Sequence, residues 1–317
     1  MNFRLFPTEA STIASEVDHL FLFLVAVSLV MVALIFLSIV VLAVKYRRGA
    51  KNMTAKQIRG SMGLEIFWSV VPLIIMMGMF GWGAKVYFEH AVPPADSSEI
   101  YVVAKQWMWK LQHPEGPREI NELHIPVGRP ITLVMTSEDV VHSFFVPAFR
   151  VKQDVIPGRY TREWFQVTKP GRYQLFCAEY CGTNHSRMRG WIYAMDPVEY
   201  QRWLSGGAPG VSMADAGEKM FHTLGCATCH VKDCPPLQGL YHSRVALYGG
   251  ATVIADDDYL RESILDPTAK IVLGYRPIMP TYKGQVTEES LLQLIAYIKS
   301  LSAEAPGHLS PLGSTNK

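Results

Sequence analysis

Residues 20–44 carry no charged side chain, and this run constrains the fold more than any other feature of the chain. About 20 apolar residues at helical rise cross the hydrocarbon of a bilayer, so the stretch predicts a membrane-spanning helix. A second uncharged run, residues 66–83, holds Pro72 and has Lys85 close enough to its end to snorkel toward the interface. It predicts a second span with a kink. The competing account is a buried helix pair in a soluble protein. A secretory signal does not fit, because its apolar core runs only about 7 to 15 residues before a small-residue cleavage site.

Lys45, Arg47, Arg48, Lys51, Lys56 and Arg59 lie between the runs, with no acidic residue before Glu65. Cytoplasmic loops carry such an excess of Lys and Arg, which places this loop in the cytoplasm and both ends of the chain outside. The N-terminal tail agrees, since Glu9, Glu16 and Asp18 outweigh Arg4. Over the whole chain 30 basic residues meet 28 acidic ones, leaving no sequence-wide basic field for nucleic acid. A chain of 317 residues also exceeds the usual domain of about 100 to 200, so more than one folded unit is expected.

Past residue 95 the pattern changes to short β-rich runs broken by Pro and Gly: 100–111, 122–126, 131–136, 143–146, 159–167, 172–176 and 190–194. Strands at this spacing predict a sandwich or barrel. The stretch Ser205-Gly-Gly-Ala-Pro-Gly210 has linker composition. Helical periodicity follows over 214–224, over 257–265 up to Pro267, and over 287–301, where Thr287 can cap and Glu288 and Glu289 favour the N-terminus. The expected fold class is a multidomain membrane protein. Its parts are a tail and transmembrane hairpin (1–95), a β unit (96–203), a linker (204–212), an all-α unit (213–302) and a disordered tail (303–317).

Two clusters carry chemistry. In the first, Cys177-Ala-Glu-Tyr-Cys181-Gly-Thr-Asn-His185-Ser-Arg-Met188 brings two thiols, an imidazole and a thioether together, and His142 lies upstream. Soft thiolates with imidazole and a distant thioether suit copper, and one Cys, two His and an axial Met would make a mononuclear site. A second Cys allows both thiolates to bridge a copper pair, with one His for each ion and weak axial places for Met188 and a backbone carbonyl. A disulfide between Cys177 and Cys181 and a zinc site of two Cys and two His use the same residues, but neither accounts for Met188.

The segments Ser137-Glu-Asp-Val-Val-His142-Ser-Phe144, Val151-Lys-Gln-Asp-Val-Ile-Pro-Gly-Arg159 and 177–188 resemble cytochrome c oxidase subunit II. The likeness covers roughly residues 15–200 and implies a cupredoxin-like β unit with a binuclear copper centre. Its ligands would be His142, Cys177, Cys181, His185, Met188 and the carbonyl of Glu179. The Glu179 side chain matches a family residue that also binds magnesium at the interface with subunit I. Gln106-Trp-Met-Trp109 resembles the aromatic patch where electrons enter, which nominates Trp107; the alternative is a strand aromatic that only packs. Leu64-Glu-Ile-Phe-Trp-Ser-Val-Val-Pro72 resembles the start of the family's second span. There Glu65 is either at the mouth of a proton channel or only an interfacial charge.

The second cluster, Cys226-Ala-Thr-Cys229-His230, is the signature of covalent haem c, with two thiols on the vinyl groups and the His on iron. A thioredoxin-like Cys-x-x-Cys expects a βαβ setting, and the surroundings here are helical. A Met on the sixth position gives haem a raised potential. Met279 is the only methionine downstream, held between Pro277 and Pro280, with His242 as the alternative. Gly217, Phe221 and Tyr297 resemble the helix contact of class I cytochromes c, while Cys234 reads as a surface or packing thiol rather than a ligand.

Together the resemblances imply the electron-receiving subunit of a bacterial haem-copper oxidase. Electrons would pass from a cytochrome c or another donor through haem c and copper to subunit I, where oxygen is reduced; this chain itself shows no catalytic acid, base or nucleophile set. Subunit III is a further expected partner. The alternatives are the copper subunit of a nitric oxide reductase and an assembly subunit with vestigial metal motifs. Met279→Ala is expected to leave haem attached while changing its reduced spectrum and potential; an unchanged spectrum would remove Met279 from the axial role.

Overall fold

The computed structural model describes residues 6–49, 60–206, 212–230 and 234–303. The expected linker core at 207–211, the tail past 303, and the basic residues Arg4, Lys51, Lys56 and Arg59 lie outside them. Helix α1 (Ala14–Lys45) and helix α2 (Met62–Ala91) contain the two uncharged runs. Their large apolar side chains, Leu29, Phe36 and Phe80 among them, point outward along both helices. Lipid tails satisfy such a surface and water does not, while internal backbone pairing lets a helix cross them. Helix α2 continues through Pro72.

The N-terminal segment returns to the β unit. Ala10 and Ile13 are buried in its core, Ser11 bridges to Val167, and the Ser11 hydroxyl donates to the Phe149 carbonyl at 2.8 Å. Asp18, in the second turn of α1, takes a forked pair of bonds from Arg150 at 2.7 and 2.6 Å. At the outer end of α2, the Trp164 indole donates to the His90 carbonyl at 2.8 Å.

Ten strands form the β unit: β1 (Ser98–Lys105), β2 (Met108–Gln112), β3 (Arg118–Ile120), β4 (Glu122–Pro126), β5 (Pro130–Ser137), β6 (His142–Val146), β7 (Val151–Val155), β8 (Thr161–Gln166), β9 (Gly171–Cys177) and β10 (Arg189–Met195). One sheet has the order β3-β2-β1-β5-β8 and the other β4-β10-β9-β6-β7. Their inner faces bury Trp109, Leu133, Phe144, Phe149 and Phe165 completely or nearly so. Along β10 burial alternates residue by residue, as one covered face requires.

The run expected as a single strand over 100–111 is instead β1 and β2, reversing at Gln106 and Trp107. Only Lys105 and Gln106 interrupt the apolar run there, and no Gly, Pro, Asn or Asp marks so tight a reversal. Strand β7 has no apolar signature because Lys152, Gln153 and Asp154 fill its middle; it is an edge strand, where polar residues meet water.

Helix α3 (Pro197–Gly206) extends into the stretch expected as linker. Beyond it come α4 (Met213–Thr223), the short α5 (Cys226–His230), α6 (Asp257–Leu265) and α7 (Glu288–Ala303). A small ribbon of β11 (Arg244–Ala246) and β12 (Thr252–Ile254) departs from the all-α expectation. Asp256 caps α6 by accepting from the Tyr259 amide at 2.9 Å, and Thr287 accepts from the Ser290 amide at 3.2 Å where α7 begins.

Helices α4 and α7 cross at Gly217. A Cβ there would stand 2.0 Å from the Gln293 carbonyl oxygen and 2.8 Å from the Tyr297 Cβ, so only hydrogen fits. Gly217→Ala is expected to destabilise this helical segment by about 2 to 3 kcal/mol, since overpacking at a backbone contact forces the helices apart. Thermal unfolding of the purified chain checks it; an unchanged midpoint would show that the crossing relaxes freely.

Candidate metal centre

Strand pairing assembles the first cluster. Strands β6 and β9 pair with Phe144 opposite Cys177, which brings His142, at the start of β6, beside the end of β9. The loop from Ala178 to Met188 then folds back over that end. Cys181 Sγ lies 3.8 Å from Cys177 Sγ, 3.6 Å from His185 Nδ1 and 3.7 Å from Met188 Sδ. Cys177 Sγ lies 3.9 Å from His142 Nδ1 and 3.2 Å from the Glu179 carbonyl oxygen. The donor atoms of His142, Cys177 and Cys181 all fall within 4.8 Å of one another, and all three residues are buried.

This set fits a pair of soft metal ions. The sulfurs are free thiols well beyond the roughly 2.05 Å of a disulfide. Each imidazole stands beside a different thiol, and a thioether and a carbonyl complete six donors, where a closed zinc site takes four. Met188 is 1% exposed, which leaves its weak donor no competition from water. Burial opposes charge on both thiols, but His142 and nearby backbone groups pull Cys177 down to about 7. Burial and the Cys177 charge push Cys181 up to about 12. A cation bound between the two thiols would favour the thiolate form of both.

Trp107 meets this centre directly. Its indole donates to the Cys181 carbonyl at 3.2 Å, and the Gln106 side chain donates to the same oxygen at 2.8 Å. Gly182, at φ +116°, leaves room for them: a Cβ would stand 3.0 Å from Gln106 Nε2 and 3.3 Å from Trp107 Cζ2. The Glu179 carboxylate points elsewhere, to Lys152 at 3.2 Å, and is exposed. Glu65 occupies the first turn of α2, at the opposite end of that helix from the β unit.

Asp139 was not singled out from sequence. Its carboxylate lies 2.8 Å from His142 Nε2 and accepts from the amides of Gln106 at 2.8 Å and Val140 at 2.7 Å. Although burial acts the other way, these partners hold it below the usual carboxylate range. It fixes the His142 ring with Nδ1 toward Cys177 and ties the Trp107 turn to the same histidine. An acidic residue three positions before a candidate ligand is the only signal sequence offers.

The second cluster lies on α5. Cys226 and His230 line a cavity of about 460 Å³ whose walls include Phe221, Leu260, Ile264 and Met279. His230 Nδ1 lies 2.9 Å from the Pro235 carbonyl oxygen, an arrangement that leaves Nε2 available as a ligand. His242 is not among the cavity's lining residues; its ring packs on Tyr241. Cys234 does line it. Phe221 and Tyr297 are in ring contact at 5.3 Å, beside Gly217. An apolar cavity with a thiol, an imidazole and a thioether on its wall fits a haem in size class and chemistry.

Asp139→Asn is expected to weaken copper binding by about tenfold to a hundredfold, as losing the partner of a ligating histidine commonly does. Competition against a chelator measures it, and an unchanged affinity would confine Asp139 to holding the turn.

Two family models match. Residues 1–80 match the transmembrane domain of cytochrome c oxidase subunit II, and residues 117–194 match its periplasmic domain. Cytochrome c oxidase subunit 2 of Alkalihalophilus pseudofirmus is 29% identical over 306 residues, covering 90% of this chain and 86% of that protein. The same subunit of Synechocystis is 30% identical over 275 residues, covering 72% and 81%. Among solved structures, the periplasmic domain of subunit II from Bradyrhizobium japonicum is 31% identical with a TM-score of 0.35, over 36% of this chain and 96% of that one. The nitric oxide reductase alternative gains no support from these matches. With its two apolar helices and extracytoplasmic domain, the chain belongs to the cytochrome c oxidase subunit II family, a haem-copper oxidoreductase component that partners the core subunit I.

Proposed function

We propose that this chain receives electrons for the oxidase from a cytochrome c or another external donor, and that it does so with two redox groups of its own. His142, Cys177, Cys181, His185, Met188 and the Glu179 carbonyl would hold a copper pair. Cys226 and Cys229 would carry haem c, with His230 and Met279 as its axial ligands. When bound, these groups supply one-electron transfer with little rearrangement. The observation that carries the reading is the six-donor cluster itself, already drawn together at the end of β9 with His142, Cys177, Cys181 and Met188 buried.

The chain's own residues do the rest. The β6–β9 pairing and Asp139 orient the imidazole of His142, and Met188 closes the pocket against water. Trp107, bonded to the Cys181 carbonyl, supplies a conjugated surface between the centre and the outside, which supports it as the place where electrons enter. On the haem side, Pro235 orients His230, and the apolar wall keeps the cavity dry. Such a wall favours the less charged, reduced state of a bound haem.

The bonds from Ser11 and Asp18 to the β unit support placing the N-terminus on its extracytoplasmic side, and the helical C-terminal unit lies there too. We extend the reading to a bacterial cell membrane, to subunit III as a further neighbour, and to magnesium at Glu179 in contact with subunit I. The same reading takes Glu65, in the first turn of α2, as the mouth of a proton channel.

Metal analysis of the purified chain tests both centres: two coppers and one iron are expected. Iron without copper, or zinc in its place, would reduce the chain to a membrane-tethered cytochrome. Cys181→Ser is expected to lose the copper pair and stop oxidase turnover while haem stays reducible. Normal turnover in that variant would contradict the assignment.

A further inference from the structure

The C-terminal unit does not hang from a tether. Tyr101, Val103, Val134 and Tyr160, on the outer face of the first sheet or just before β8, join the apolar cluster built around α4, α6 and α7. Charged groups surround this seam. Lys299, on α7, bonds Glu99 of β1 at 2.6 Å, lies 3.5 Å from the Tyr101 hydroxyl, and reaches Asp257 of α6 at 3.3 Å. Asp257, 1% exposed, also takes Arg162 of β8 and the Tyr241 hydroxyl. A second knot centres on Arg261, 6% exposed, which donates to the Gly158 carbonyl at 3.2 Å and pairs with Glu288. Asp258 accepts from the Tyr160 amide at 3.2 Å, and Lys110 of β2 bonds Glu289 at 2.8 Å.

An apolar seam alone is non-directional and tolerates sliding. Charged pairs with a buried member do not, because a shift that takes the partner away leaves that member desolvated and unpaired; Asp257 is the buried member here, with Lys299 half-buried and Glu99 and Arg162 nearer the rim. Here the signs alternate across the boundary and cancel: Glu99 and Arg162 come from the β unit, Lys299 and Asp257 from the helical unit. Burial opposes charge on Lys299, yet Tyr101, Asp257 and Glu99 hold it well above the usual lysine range. The same helices line the cavity on another face, through Leu260 and Ile264 of α6 and Leu294 and Ile298 of α7.

We propose that Glu99, Arg162, Asp257 and Lys299 form a clasp that fixes the orientation of the C-terminal unit on the β unit. These are positioning residues: they set one geometry for electron transfer between the two centres, in place of repeated encounters by a tethered carrier. The inference rests on the reading that the C-terminal unit carries haem, and an absorbance spectrum of the wild-type oxidase checks that reading first. Absence of a c-type haem there overturns the haem assignment and, with it, the role of the clasp.

With haem present, the intact oxidase is compared with Lys299→Met, Lys299→Arg and the milder Glu99→Gln. Hydrogen exchange reports docking through residues 98–105 and 257–265, and pulsed reduction of the haem reports the rate of transfer within the chain. Lys299→Met should speed exchange in both segments and slow transfer by about tenfold or more, as the docked population falls. Glu99→Gln should move both readouts the same way by a smaller factor, and Lys299→Arg should restore them. Unchanged haem and copper spectra separate this outcome from damage to the centres. The clasp is overturned if exchange and rate stay within about twofold of wild type in both Lys299→Met and Glu99→Gln. Faster exchange with an unchanged rate equally overturns it, since docking would then not set transfer.

Discussion

Everything at the candidate metal centre depends on one constraint: two thiols, two imidazoles, a thioether and a carbonyl must converge, with the sulfurs kept from water. A loop alone would not hold them, because each donor would turn toward solvent. The β6–β9 pairing supplies the rigid side by setting His142 against Cys177. The return of the chain into β10 supplies the lid by burying Met188. Asp139 and the Gln106–Trp107 turn then brace the assembly from a third direction. The sandwich is thus the frame that makes a strained meeting of soft donors the resting state of the loop.

Much of this was legible in the sequence where chemistry is local. The Cys177 to Met188 spacing places four donors in one loop, and the Cys-x-x-Cys-His run marks α5 without any tertiary information. Asp257 and Pro267 bracket α6, and a single small residue at 217 foreshadowed the crossing of α4 and α7. What escaped was set by distance along the chain. Asp139 acquires its role only once β1 pairs with β5, which brings the Gln106–Trp107 turn beside it. The β1–β2 reversal is hidden because only Lys105 and Gln106 interrupt the apolar run there and no Gly, Pro, Asn or Asp marks the turn, and β7 because an edge strand has half its surface in water. The Gly-rich stretch reads as a linker between the units; the contacts of Lys299 and Asp257 with β1 and β8 are long-range pairings that no window could reveal.

The two halves of the extracytoplasmic part use different physics. The copper loop is held by backbone pairing and sulfur packing, with charge kept to a minimum until metal arrives. The boundary between the units is held by charge that is balanced in place. Mutations should therefore sort by type: changes of volume matter most inside the sandwich, changes of charge most at the boundary.

Two attachments between the helices and the β unit, the forked Arg150–Asp18 pair and the Trp164 bond to the His90 carbonyl, have a consequence for assembly. They are pins at two separate points, one on each helix, so the β unit cannot swivel about either helix without breaking the other attachment. A core subunit that grips only the helices within the lipid thereby also sets the height and heading of the copper loop above the membrane. Registration in the bilayer becomes alignment of the redox centre, with no need for a large contact outside it.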